Sequence, residues 1–266
     1  MSAVTPYARP AGLSSLSAIG MLRSEWIKLR SLRSTIWSYA AVVVVSLGIS
    51  LLISAAAVGF GGTTGIPVAA ATYGIYFGQL VVAVLGVLVI SGEYSTGMIR
   101  STLTAIPKRI PALIAKAVVL FVTTFVVGLV SVFGAVGVSL LVLSGQPDVA
   151  LSGEELGNLV LAAVYLGLTS LFALGLGTIL RNGAGGIAVA LGVILLLPTI
   201  IGLIAGITQA DWASNALPYV FSSAGTGMYT PSGEEGFSQL HNSVIVLVWT
   251  AVSLIGGSLL LKSRDA

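Results

Sequence analysis

Cysteine is absent from the chain, histidine occurs once, and charged residues make up only 8% of the sequence. Without cysteine there is neither a disulfide framework nor a thiolate metal site. The lone histidine, His241 in QLHNS, removes any His-paired catalytic or metal constellation, and no G-x-S-x-G elbow accompanies it. It reads as a polar residue at the outer membrane boundary. Lysine never follows glycine, so a Walker A phosphate loop is missing and the chain is not expected to hydrolyse ATP. The scarcity of charge excludes most: soluble domains carry about a quarter charged residues. Here 56% of residues are hydrophobic and the mean hydropathy is +1.05. The sequence is that of a membrane protein.

What is there, in place of charge, is a series of apolar runs free of Asp, Glu, Lys and Arg. They are Trp37 to Phe60, Val68 to Gly92, Ala117 to Ser144, Leu156 to Leu180, Gly183 to Ile207 and Val244 to Leu261. Each is within reach of the roughly 17 to 25 residues that cross a bilayer. A lone segment in lipid must satisfy its backbone groups internally, so each is expected to be a helix. Pro198 predicts a kink or break in the fifth. No span holds an ionisable group internally, which disfavours an ion-coupled carrier.

The twelve basic residues all fall on one side of this topology: before span one, between spans two and three, after span four and after span six. The opposite loops carry Asp148, Glu154, Glu155, Asp211, Glu234 and Glu235 and no Lys or Arg. By the positive-inside rule both termini are cytoplasmic, in a multi-pass protein of the plasma membrane. Residues 1–20 lack the apolar core of a signal peptide and read as a disordered cytoplasmic arm. Residues 21–266 then form a single six-helix domain.

Two stretches exceed spans and loops on the basic side. MLRSEWIKLRSLRST, from Met21 to Thr35, places Leu22, Trp26, Leu29 and Ile36 along one helical face with Arg23, Lys28 and Arg30 pointing away. That is the pattern of a helix lying in the interface, although a basic juxtamembrane tether is the plainer alternative. ISGEYSTGMIRSTLTAIPKRIP, residues 90–111, collects Glu93, Arg100, Lys108 and Arg109 between spans two and three. Gly97 permits a tight turn, MIRSTLTA reads as one to two helical turns, and Pro107 closes them. A short helix held between two spans can carry motion from a cytoplasmic partner; a basic loop facing anionic lipid is the alternative.

Elsewhere, the external segment from Thr208 to Asn242 is too long for a simple connection. Asp211-Trp212 and LPYVFSSAG are apolar enough to dip back as short helices, while MYTPSGEEG reads as a solvated turn. GLGTILRNGAGG, at the junction of spans four and five, fits helix packing better than a nucleotide loop. Small residues four apart recur at Ala163 and Gly167, at Ala184, Ala188 and Gly192, and at Gly202 and Gly206, allowing helices to approach closely. In span two, Thr72, Tyr73, Tyr76 and Gln79 are the main polar groups, fit for interhelical hydrogen bonds or interface anchoring.

Several of these stretches, in this order, resemble the permease subunits of ABC-2 type transporters, particularly the short six-span kind of actinobacteria. SEWIKLRSLRSTIW resembles the family's amphipathic connecting helix, and GEYSTGMIRSTLTAIPKR its pattern between spans two and three. LPYVFSSAG resembles the segment before span six, and SLIGGSLLLKSRDA the usual C-terminus. The fold this implies is all-α: six transmembrane helices, an N-terminal amphipathic interfacial helix and a short cytoplasmic coupling helix. The resemblance places the coupling helix at Ser95 through Ala105. Contacts to a partner ATPase then fall to Glu93, Tyr94, Ser95, Met98, Ile99, Arg100, Thr104, Lys108 and Arg109. Glu93 departs from the family pattern in lacking the second charged residue often found beside it, and Gly97 to Pro107 is about one residue longer than usual.

The resemblance further implies an exporter of apolar or amphipathic compounds. It would work as two permeases with two cytoplasmic ATPase subunits, which bind the ATP and magnesium; this chain itself would hold no cofactor or metal, and no nucleic acid is an expected partner. The substrate path would run between spans two and five, lined by Tyr73, Tyr76, Phe77 and Gln79. A non-transporting anchor or sensor subunit recruiting a cytoplasmic partner through the same surface is the alternative from a different class.

Overall fold

A computed structural model describes residues 17–60, 65–98, 109–146, 151–230 and 237–263. They are helical almost throughout, with no strand among the described residues. Ten α-helices follow in chain order: α1 Ala18–Ser31, α2 Arg33–Phe60, α3 Ile66–Ser95, α4 Arg109–Val142, α5 Gly153–Leu180, α6 Gly183–Leu191, α7 Leu197–Thr208, α8 Asp211–Ala216, α9 Phe221–Tyr229 and α10 Gln239–Ser263. Six stretches are long and apolar enough to cross a membrane: α2, α3, α4, α5, the α6–α7 unit and α10.

The helices outrun the apolar segments that announce them. α4 begins at Arg109, two turns before Ala117, with Pro111 in its first turn, where a missing N–H costs nothing. α5 begins at Gly153 because Ser152 and Glu155 form a capping box. The Ser152 hydroxyl accepts the Glu155 N–H at 3.2 Å, and the Glu155 carboxylate accepts the Ser152 N–H at 2.7 Å. Glu155 is thus a cap as well as a loop acid. Pro198 does not break span five. A single π turn, Gly192–Leu196, precedes it, and the Leu197 N–H reaches back to the Gly192 carbonyl. The widened turn absorbs the hydrogen bond and the space that proline denies its preceding turn.

α5 is the central helix, packed against α3, α4, α6, α9 and α10 and the most buried of the spans. Its close neighbours meet it through small residues. A Cβ added at Gly86 of α3 would stand 2.5 Å from the Ser170 carbonyl oxygen and 2.9 Å from Ala173. Ala163 lies against Gly128 and Gly167 against Phe121, so that pair serves packing within the subunit. Gly175, Gly177 and Gly186 likewise admit Ser253, Ile90 and Val87, which settles GLGTILRNGAGG as a packing sequence. By contrast Ala184, Ala188 and Gly206 face outward. The α2–α4 seam is polar at intervals: Tyr39 bonds Thr123 and Thr124, Ser50 donates to the Ala135 carbonyl, and Ser54 donates to Ser139.

The segment after span five folds back as short helices, as LPYVFSSAG foretells. α9 is buried through Phe221, Ala224, Met228 and Tyr229. Phe221 stacks on Phe172 at 4.5 Å, and Tyr165 lies 5.7 Å from both Phe221 and Tyr229. Met228 and Tyr229, read from the sequence as the start of a solvated turn, therefore belong to the core; their aromatic and thioether bulk outweighs the polar residues that follow. Residues 231–236 of that turn lie outside the described residues.

Gly86→Ala is expected to lower stability by about 1–3 kcal/mol through overpacking. Gly48→Ala, whose Cβ would meet nothing within 4 Å, should leave it unchanged or raise it by up to about 1 kcal/mol. Thermal unfolding of both variants in detergent micelles checks the contrast.

Candidate functional site

Glu25, Lys28, Glu93 and Lys116 come from three helices and close into a ring of four charges. The Lys116 ammonium lies 2.6 Å from Glu25 Oε2 and 2.8 Å from Glu93 Oε1; Lys28 lies 2.8 Å from Glu25 Oε1 and 3.2 Å from Glu93 Oε1. Glu25, Glu93 and Lys116 are 5–6% exposed, while Lys28 is only partly covered. Charges so deprived of water must be paired, and each lysine here bridges both carboxylates. Leu29, Val89, Ile90 and Leu113 pack around the ring. Glu93 Oε2 has no hydrogen-bond partner among the described residues. A cavity of about 240 Å³ lies beside it, lined by Lys28, Leu29, Leu88, Glu93, Thr96 and Met98 among others.

The ring corrects one residue of the expected pattern in α1. Lys28 was expected to point away with Arg23 and Arg30; it turns inward instead, because Glu25 and Glu93 offer it two carboxylates. Leu22 and Leu29 share the covered face, while Trp26 is 44% exposed. Nor does the apolar face continue to Ile36: Leu32 is extended, ends α1 and starts a new helix direction. The buried face is Leu22, Glu25, Lys28 and Leu29, and the outer face carries Arg23, Trp26, Ile27 and Arg30.

Next to Glu93, Tyr94 faces a second set of partners. The Arg181 guanidinium lies over its ring, 5.2 Å from the centroid, and Arg181 also donates to the Leu260 carbonyl of α10 at 3.2 Å. Arg181 takes a left-handed backbone conformation, φ 54°, unusual for a long side chain. That conformation closes α5 by returning its N–H to the Gly177 carbonyl, and Asn182 then caps α6 by accepting the Gly185 N–H at 2.9 Å. Two consecutive residues at the end of α3 thus gather α1 and α4 on one hand, and the α5–α6 corner and α10 on the other. The expected missing partner beside Glu93 is supplied in space, by Lys116 and Lys28, rather than in sequence.

The remaining predicted residues divide. Ser95 ends α3, donating to the Gly92 carbonyl. Gly97 makes the turn foreseen for it, at φ +71°. Met98 lies at the cavity rim. Ile99, Arg100, Thr104 and Lys108, and with them most of the expected coupling helix, lie outside the described residues. Arg109 is described only as the first residue of α4. Of the four residues proposed for a substrate path, Tyr73, Tyr76 and Phe77 are exposed on the outer side of α3, with Tyr76 and Phe77 edge to face at 5.7 Å. Gln79 points the opposite way, buried in the bundle, and accepts the Tyr165 hydroxyl. The structure brings three of them together and separates the fourth.

Sequence reasoning missed Glu25 and Lys116. A signal was present: of nine acidic residues, only Glu25, Glu93 and Asp265 stand among the basic segments. An acid placed against the prevailing charge has a partner to find there.

The described residues form an all-helical bundle with six helices able to cross a membrane, and three of its helices are tied together at one end by buried charge. A model of the ABC-2 family transporter protein matches residues 21–191, a stretch that includes all four charges of the ring, and the chain belongs to that family. It is the membrane permease of an ABC transporter, a subunit without its own ATPase site, of a kind that normally works with a cytoplasmic ATPase. No curated protein is similar enough to match it.

Burial pushes the Glu25 carboxyl up, but Lys116 and Lys28 together outweigh it and hold it below the ordinary value of 4.5. Burial pushes Lys28 down, and Glu25 and Glu93 outweigh that and raise it above 10.5. A lowered carboxyl stabilises the fold above its unfolded pKa, and a raised ammonium does so below its own. The contribution of Glu25 is therefore expected to weaken as pH falls below 4.5, and that of Lys28 as pH rises past 10.5. Lys116→Met, which leaves two buried carboxylates to Lys28 alone, should cost about 3–5 kcal/mol. Glu25→Lys combined with Lys116→Glu restores two charges of each sign but sets like charges side by side at positions 25 and 28 and at 93 and 116, so it should recover only part of the loss shown by either alone. Unfolding midpoints of the four proteins, measured at neutral pH, decide this.

Proposed function

We propose that this permease belongs to an ATP-driven exporter that moves an apolar or amphipathic compound, a drug, peptide or lipid, out of the cell. Two copies of a cytoplasmic ATPase bind ATP and magnesium, and two permease copies enclose the path. Both termini and the charge ring lie on the cytoplasmic side of the plasma membrane, a reading supported by the one-sided distribution of Lys and Arg. The absence of ionisable groups through the middle of every span is compatible with an apolar cargo.

The observation that carries this reading is the ring itself. The ATPase would seat against the loop that follows α3, through Glu93, Tyr94, Ser95, Met98, Ile99, Arg100, Thr104, Lys108 and Arg109. Displacement of that loop acts on Glu93 and Tyr94. Through Lys116 and Lys28 it reaches α4 and α1, and through Arg181 it reaches α5, α6 and α10. A buried ion pair resists separation strongly, because parting it leaves an uncompensated charge. The helices therefore move together instead of the loop flexing alone.

Alanine or charge reversal across Met98, Ile99 and Arg100 is expected to abolish cargo-stimulated ATP hydrolysis by the reconstituted complex while membrane insertion is retained. Normal coupling in those variants would remove the loop from the mechanism. Transport driven by an ion gradient in ATP-depleted vesicles would overturn the exporter reading altogether.

A further inference from the structure

At the elbow between α1 and α2 a groove of about 240 Å³ opens against α4. Its walls are Ile36 of α2, Val122 and Val126 of α4, and Trp26 of α1, with Arg30 and Thr35 at the elbow. It is separated from the charge ring by Leu29, which lines this groove on one side and the cavity beside the ring on the other. The groove continues onto the outer apolar surface of α4, where Val122, Val126 and Val130 are each about half exposed. Its floor is closed by Tyr39, whose hydroxyl is already bonded to Thr123 and Thr124 and competes for nothing.

Two polar features are left unsatisfied at its basic end. Thr35 is 2% exposed, and its hydroxyl has no hydrogen-bond partner among the described residues. Arg30 is exposed and makes no ion pair among the described residues; Arg23, seven residues earlier on the same helical face, is in the same position. The Thr35 hydroxyl is enclosed, so the groove offers an occupant a cation at one end and a long apolar wall beyond it. That order matches a phosphate and an acyl chain.

We propose that this groove seats one anionic phospholipid of the surrounding bilayer, as a resident part of the permease. Its phosphate meets Arg30, and one acyl chain lies along Val122 and Val126 beneath Trp26. The aromatic ring at headgroup depth and the basic rim both suit that level of the membrane. A free phosphate would leave the apolar wall empty, and in a zwitterionic lipid the headgroup's own cation would compete with Arg30 for the phosphate. Anchored there, the lipid fixes the angle at Leu32 between α1 and α2, and so the position from which Glu25 and Lys28 reach the ring.

The test uses the full chain, extracted in detergent and equilibrated with equal amounts of phosphatidylglycerol and phosphatidylcholine before native mass spectrometry. One retained phosphatidylglycerol is expected, preferred by about fivefold, the effect of one arginine near an anionic surface. Arg30→Gln should reduce that preference to near unity while a lipid is still retained. Val126→Trp should expel the lipid; Val122→Phe serves as a second blocking variant should the first not fold. Millimolar inorganic phosphate should not displace it. Equal retention of both lipids by the wild type, displacement by phosphate, or undiminished lipid in a folded blocking variant would each overturn the proposal. So would a change of oligomeric state in the blocking variants with lipid retention unchanged, which would assign the groove to a second copy.

Discussion

Everything at the basic end of this permease depends on four charges that cannot be left alone out of water. Glu25, Lys28, Glu93 and Lys116 are drawn from α1, α3 and α4, and the three that are buried, Glu25, Glu93 and Lys116, are not tolerable in place without partners of opposite sign. Replacing such a ring with packed leucines would cost little or nothing in stability. What an apolar seam would not give is registry. Leucines slide past one another at small cost, whereas each lysine here must stand between the same two carboxylates. The ring sets how far α1 is inserted against the ends of α3 and α4, and α1 has little else to hold it.

The rest of the bundle is joined by other means, which gives the protein two mechanical characters. Around α5, close approach at Gly86, Gly128 and Gly167 and a packed aromatic group at Tyr165, Phe172 and Phe221 leave almost no slack. Between α2 and α4 the contacts are spaced hydroxyls, each a modest bond. Rigid core, adjustable seam and charge-locked end are arranged so that the locked end is attached to the core by Tyr94 and Arg181. Motion entering there is passed to helices that do not bend easily.

The six spans and the one-sided placement of basic residues were legible in the sequence because both follow from the cost of polar groups in hydrocarbon. Helix ends were less so. Lys116 bounds an apolar run in the sequence but sits two turns inside α4, since pairing with Glu25 and Glu93 removes the penalty that the run's limits assume. The same blindness misplaced Lys28: periodicity sent it outward with Arg23 and Arg30, but Glu25 on its own helix and Glu93 on α3 draw it in. Pro198 announced an irregularity, and the structure resolves it as a π turn closed by the Leu197 N–H on the Gly192 carbonyl rather than as a break. Among the proposed path residues, Tyr73 and Gln79 lie on one helix in sequence but on opposite faces in space, a distinction that periodicity alone offers and that grouping by polarity obscures.

The π turn at Gly192–Leu196 has one more effect. Beyond it, α7 buries no residue against its own subunit. Its main contacts within the chain are with the π turn before it and the short helix α8 after it, and none encloses a side chain. Its exposed face is held to the requirements of an apolar environment and not to the packing around α5, so substitutions there disturb the bundle little. Of all the spans it is the one whose surface evolution can redraw most freely, to suit whatever lies alongside.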